Sequence, residues 1–276
     1  MSLHWYPGHM AAALRAIREN AKLVDVIIEV VDARAPAITR DPAVSKISSR
    51  PRVIALAKAD LAETGVTRRW AERLRSQGTP AYPVNARSGE GVIDLLKGCK
   101  PLLGERARRQ RAGSGGRALR VMVVGVPNVG KSSLINRMTS GRSARTGAAP
   151  GVTRGKQWVR TAEGLEVLDL PGVLRLGKVS SSDMFKLAVL GIIPETSYDP
   201  YQMALDTVRF LSAAHGAVLA ALGATAGASA EEVIAGIGRA KGFLARGGEV
   251  DLVRTATWFL GQIREGKAGR LSLETP

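Results

Sequence analysis

The sequence predicts an α/β fold, a doubly wound and mostly parallel sheet over residues 1–176 with a smaller all-helical domain over residues 177–276. Three observations predict it. Short apolar or β-branched runs alternate with helix-like segments through the first part. One of those runs leads into the glycine-rich loop GVPNVGKSS, from Gly125 to Ser133. Beyond Gly177 strand-length runs give way to helical periodicity.

The elements follow in chain order. Val24–Val31, Val53–Leu56 and Ala81–Val84 read as strands, separated by helix-like segments over Asp41–Ile47 and Thr67–Gln77. Val92–Lys97 reads as the next helix, Leu119–Val124 as a strand and Ser132–Thr139 as the helix behind the glycine loop. A short strand near Gln157–Thr161 is expected to pair beside Leu165–Leu168 through a turn at Ala162–Gly164. In the helical part, Asp183–Leu190, Pro200–Ala214, Ala230–Ala245 and Val250–Arg264 carry helix patterns, and Ala213–Ala230 spans a helix and its loop. No internal repeat is evident.

With 276 residues, 45% of them hydrophobic, the chain can bury at least one good core and a smaller second one. Its single cysteine, Cys99, excludes a disulfide framework and reads as a small buried hydrophobe. The sequence has no run of eighteen apolar residues, and His4, Pro7 and His9 stand where a signal peptide needs an apolar stretch. A cytoplasmic protein without a membrane partner is expected.

The net charge of +16 is unevenly placed. Residues 1–176 carry 30 Lys and Arg against 14 Asp and Glu, whereas residues 177–276 carry 10 against 10. Lys100–Arg120 holds seven basic residues and one acidic, and its Gly/Ser-rich stretch near 104–118 reads as a basic, flexible joint. A half-chain this basic points to RNA, whose phosphates supply affinity without base readout; no DNA is expected. With 4% aromatic residues, base-stacking platforms are disfavoured as the main binding mode.

The glycine loop carries the chemistry. Strand, loop and helix form a nucleoside-triphosphate cradle, in which backbone N–H groups from Asn128 through Val129, Gly130 and Ser133 wrap the phosphates. Lys131 reaches the β and γ groups, and Ser132 ligates Mg²⁺. Downstream, PGVTRG places Thr153 to close on Mg²⁺ and the γ-phosphate. LEVLDLPG ends an apolar strand at Asp169, a place for an Mg²⁺ ligand acting through water, and the Gly172 N–H reads the γ-phosphate. Upstream, VIALAKADL ends its strand in Lys58 and Asp60. The Asp60 carboxylate can accept both the ring N–H and the amino group of guanine, and adenine leaves it unmatched. NARSGEG then offers Asn85 and Ala86 to frame the guanine carbonyl. A KxD triplet or a DxPG turn alone is a common surface loop; their combination with one phosphate loop makes a guanine-nucleotide site.

Base-reading loops therefore precede the phosphate loop and its switches, an order that resembles the circularly permuted GTPases. At the ends of the chain, LHWYPGHMAAALRAI and GFLARGGEVDLVRTATWFLGQIREGKAGRLSLE are similar to the opening and closing segments of the YlqF family, ribosome biogenesis GTPase A. The resemblance covers nearly the whole chain. It implies a GTP/GDP switch with Mg²⁺, slow alone and stimulated by the large ribosomal subunit or its precursor, whose rRNA it binds and which it leaves after hydrolysis. It also implies that the helical domain contacts RNA or the ribosome. An RNA-binding scaffold with a weakened, poorly hydrolysing nucleotide site is the alternative. A metabolic P-loop kinase is disfavoured by Asp60.

Four positions qualify the resemblance. Ala57 stands where the family motif has Asn, which removes an amide that holds the base and the neighbouring loop. Val173 occupies the place of a water-orienting Gln, so the catalytic group must come from elsewhere. His9, in YPGHM, resembles the family's proposed substitute; its other reading is structural. Asn128 resembles the asparagine of cation-dependent GTPases, where K⁺ supplies positive charge; its other role is that of a turn residue. The helical domain follows directly behind the Gly172 switch, so it either moves with that switch or is a passive appendage.

Overall fold

The computed structural model describes residues 15, 17–40, 48–102, 118–139, 158–161, 163–169 and 180–276, Asp169 by its backbone alone. The expected helix over 41–47 lies outside the described residues.

Six strands form one sheet in the order β3-β2-β1-β4-β6-β5. They are β1 (Val26–Asp32), β2 (Arg52–Ala57), β3 (Ala81–Val84), β4 (Leu119–Val124), β5 (Trp158–Arg160) and β6 (Leu165–Asp169). All neighbours run parallel except β5, which pairs antiparallel with β6 at the edge. The chain first builds outward from β1 to β3, then returns to lay β4 against the free side of β1. This places the topological switch point between β1 and β4, where the crevice beyond the carboxyl ends of a parallel sheet receives ligands.

All seven residues of β1 are buried. An alternating pattern is absent because a central parallel strand is covered on both faces. One such cover is the helical segment 17–21, whose Ile17 and Ala21 pack with Val24, Ile27, Met122, Val124 and Leu168. Full burial of a large aliphatic side chain contributes about 1.5–3 kcal/mol, which makes the β1–β4 seam a main source of stability. Helices α1 (Thr64–Ser76), α2 (Val92–Cys99) and α3 (Lys131–Met138) complete this part. Helix α1 buries Val66, Trp70, Ala71 and Leu74, and α2 buries Val92, Leu95, Leu96 and Cys99. Burial pushes the Cys99 thiol up to about 12, so it behaves as a hydrophobe.

The helical part contains α4 (Ser181–Val189), α5 (Pro200–Ala214), α6 (Gly216–Ala221), α7 (Ala230–Lys241) and α8 (Leu252–Glu265). Leu205, Val208, Leu211, Val233, Ile234, Ile237, Phe259, Leu260 and Ile263 form its interior. Arg264 donates to the Ala188 carbonyl at 3.0 Å and also hydrogen-bonds Glu195 and the Tyr198 hydroxyl. Helix α5 has the expected bounds. Helix α7 ends four residues before the expected Ala245, because Gly242 adopts φ 67° and its N–H turns back to the Arg239 and Gly238 carbonyls. The next residues instead form a β-bridge between Leu244 and Val250, which delays α8 to Leu252. Strand β1 begins at Val26, two residues later than expected.

The chain divides into two units. One holds Met1–Asp60, Thr64–Gly177 and Glu274–Pro276; the other holds Leu61–Glu63 and Lys178–Leu273. Short segments are thus exchanged. In the helical unit the Leu271 N–H donates to the Leu61 carbonyl at 2.9 Å, and in the sheet unit the Glu274 carboxylate accepts from the Ala37 N–H at 2.7 Å. Among the described residues no helix is long and apolar enough to cross a membrane.

Candidate nucleotide site

Three loops meet at the carboxyl ends of β2, β1 and β4. The glycine loop leaves β4 at Gly125, whose Cα lies so close to β1 that a Cβ there would meet the Val30 carbonyl oxygen at 2.4 Å; any side chain would push the loop off the sheet. It re-enters helix at Gly130, with φ 109°, a conformation that side-chain-bearing residues avoid. Helix α3 therefore starts with no side-chain cap on its first N–H groups. With their partial positive charge they make an anion cradle. Lys131 is buried and donates from Nζ to the Val126 carbonyl at 2.7 Å, which holds the ammonium within the loop. Val129 is buried beneath the loop, and Asn128, Ser132 and Ser133 are exposed on it.

The residues expected to read the base are brought to this loop. Lys58 follows β2 with φ 56° and donates from Nζ to the Asn128 carbonyl at 2.9 Å, a bond between residues 70 positions apart. Asp60 lies two residues on, half-buried in the same turn. The turn is tied to the next loop by the Ala59 N–H, which donates to the Val84 carbonyl at 3.2 Å. Asn85 folds that loop: its Oδ1 accepts from the Arg87 N–H at 2.9 Å and the Ser88 N–H at 3.3 Å. Ala86 is fixed in turn by Arg137 of α3, whose Nε donates to its carbonyl at 3.0 Å. Ala57 is buried at the end of β2, facing Gly130. Asp169 ends β6 in register with Val123, two residues before Gly125. His9, Thr153 and Gly172 lie outside the described residues.

The structure adds residues that the motif reading missed. Asp32 ends β1 and is fully buried. Its Oδ1 accepts from the Arg34 N–H at 3.1 Å and Nε at 2.9 Å; its Oδ2 accepts from Arg34 Nη2 at 2.9 Å and pairs with Lys58 Nζ at 3.0 Å. Burial by itself raises a carboxyl pKa. Here the Arg34 guanidinium, with Lys58 beside it, outweighs burial and holds Asp32 at about 2. A signal was present: VIIEVVD is a largely apolar run that ends in an acid at Asp32, as LEVLD does at Asp169.

A glycine cradle for phosphates, a lysine inside it and a KxD turn fastened to its rim define a P-loop guanine-nucleotide-binding protein, with the base-reading half ahead of the phosphate loop. Comparisons place it more closely. Residues 120–208 match the family model described as 50S ribosome-binding GTPase. The whole chain is 37% identical to ribosome biogenesis GTPase A of Priestia megaterium, of which it covers 98%. Over 99% of its length it is 33% identical to that of Thermotoga maritima, of which it covers 95%. The GNP-bound crystal structure of T. maritima YlqF superposes with a TM-score of 0.70 at 30% identity, over 96% of this chain and 98% of that one. A GDP-bound YlqF structure gives 0.70 at 29%, over 95% and 99%. The chain belongs to the ribosome biogenesis GTPase A (YlqF) family, and it is a GTPase that binds GTP and GDP.

Proposed function

We propose that the protein is a GTP-hydrolysing switch in assembly of the large ribosomal subunit, which binds rRNA on a pre-ribosomal particle in the cytoplasm and leaves after hydrolysis. The observation that carries this reading is the Lys58–Asn128 bond, which fastens the base-reading turn to the phosphate loop in a chain whose relatives are named for ribosome biogenesis. Asp60 reads guanine, framed by Asn85 and Ala86. The loop N–H groups and Lys131 hold the phosphates, and Thr153 and Gly172 sense the γ-phosphate.

The sheet end fits Mg²⁺: Ser132 is exposed in the first turn of α3, and the register puts Asp169 beside the strand that feeds the loop. Ser132 and Thr153 would hold the ion directly and Asp169 through water; the ion neutralises charge on the phosphates. K⁺ near Asn128 would add positive charge where other GTPases use an arginine. With Val173 unable to orient water, His9 is the catalytic group proposed to do so.

For RNA, the helical unit offers a basic patch within an otherwise balanced composition. Lys241 Nζ sits 5.0 Å from the Trp258 ring, and Arg254 lies 4.6 Å from the Phe243 ring, the two rings meeting edge to face. Arg239, Lys241, Arg246 and Arg254 are exposed around them. Such supported cations suit a phosphate backbone. The test is co-sedimentation with large ribosomal subunits. Retention with a non-hydrolysable GTP analogue and release with GDP is the expected result; equal retention in both states would support the scaffold reading.

A further inference from the structure

We propose that Asp32 is a positioning residue for the nucleotide: its buried carboxylate sets the Lys58 ammonium against the phosphate loop and so locks the base-reading turn to the cradle. The inference rests on the reading of residues 58–60 and 125–133 as the guanine-nucleotide site.

Backbone strain is the first support. Lys58, with φ 56°, and Asn128, with φ 58°, are the non-glycine residues with positive φ among the described residues, and they are hydrogen-bonded to each other. A lysine in the left-handed region is uncommon, and such conformations persist where surrounding structure over-determines them. The second support is the geometry of the ammonium. Lys58 Nζ bridges Asn128 O at 2.9 Å and Asp32 Oδ2 at 3.0 Å, while the Asp32 oxygens are otherwise saturated by Arg34. The carboxylate thus offers Lys58 one fixed anchor on β1, the strand against which the phosphate loop packs.

Arg34 makes this anchor sustainable. Both side chains are at most 1% exposed, and an isolated buried carboxylate would take up a proton instead of staying charged. The bidentate guanidinium, the Thr39 hydroxyl accepting from the Asp32 N–H at 3.0 Å and the Ala33 N–H donating to the Ala57 carbonyl at 2.8 Å hold the turn rigid. Because Ala57 brings no amide to this place, the tie between β2 and the phosphate loop runs through Lys58.

A double-mutant cycle on nucleotide affinity tests this, read by titration of a fluorescent GDP. Lys58→Met is expected to weaken GDP by about tenfold or more, since it removes a charged hydrogen bond. Asp32→Asn is expected to lose a similar factor. The double variant should be no weaker than Lys58→Met to within about twofold, because Asp32 acts through Lys58. Lys58→Arg, which keeps the cation, should recover most of the loss. Should Asp32→Asn unfold by stranding Arg34, the neutral pair Asp32→Asn/Arg34→Met carries the same cycle. Losses that multiply in the combined variant, or a folded neutral pair with unchanged GDP affinity, would overturn the role of Asp32. Failure of the unsubstituted protein to bind GDP would overturn the nucleotide site itself, a distinct result.

Discussion

Helices in the two units begin differently. In the helical unit four of the five starts are closed by the chain's own side chains: Ser180 accepts from the Asp183 N–H, Asp199 from Gln202 and Asp251 from Arg254, and Ser229 with Glu232 forms a reciprocal capping box, while the short α6 starts at His215 without one. In the sheet unit α2 and α3 start at Gly91 and Gly130, both left-handed and without a side-chain cap. A side-chain cap stabilises its helix and occupies the first N–H groups. An uncapped start behind a phosphate-loop sequence suits an anion, so the proposed nucleotide site uses the same local omission that weakens a helix.

The contrast gives the largest prediction. Lys131→Met should reduce GTP and GDP affinity by about 10²-fold or more, since a buried ammonium meeting phosphate oxygens makes charge-assisted bonds worth about 1.5–3 kcal/mol each. Circular dichroism of the variant should show an unchanged fold. Retained affinity would mean that α3 is not the anion site. Next, Asp60→Asn should turn the preference from GTP toward xanthosine triphosphate, whose carbonyl matches the new amide, by about two orders of magnitude in the affinity ratio. Competition titration with both nucleotides reads it, and an unchanged ratio would place base recognition elsewhere.

A pH series separates buried charge from surface capping. The folded-state pKa of Asp32, about 2, lies below its ordinary 3.8. Its contribution to stability is therefore present above about pH 4 and is lost as pH falls toward 2. Melting temperatures should fall through that window, and less steeply in Asp32→Asn/Arg34→Met. Smaller still is Ser229→Ala, expected to lower stability by about 1 kcal/mol with nucleotide affinity unchanged. A change in GDP binding there would break the division of labour between the units.

What was legible in the sequence follows the range of the forces involved. Strands β2, β3 and β4 and helix α5 were readable because hydrophobic period, Pro200 and the glycine loop are local signals. The end of α7 was also written locally, in Gly242, yet the apolar run beyond it overrode that stop. Lys58, Asp60 and Lys131 could be proposed as site residues from the sequence because phosphate and base chemistry imposes fixed spacings. Asp32 was not. Its importance comes from Arg34 folding back over it and from Lys58 arriving from the neighbouring strand, which no spacing announces. The Arg137–Ala86 contact was hidden for the same reason: 51 residues separate the partners.

The most direct measurement is GTP turnover in K⁺ and Mg²⁺ with and without large ribosomal subunits, and with ATP as the control. The account predicts slow hydrolysis by the protein alone, stimulation by subunits of about 10²-fold or more, on the order of what one newly positioned catalytic group supplies, and no stimulated turnover of ATP. Turnover that large subunits leave unchanged would contradict it and leave an RNA-binding scaffold in place of a switch.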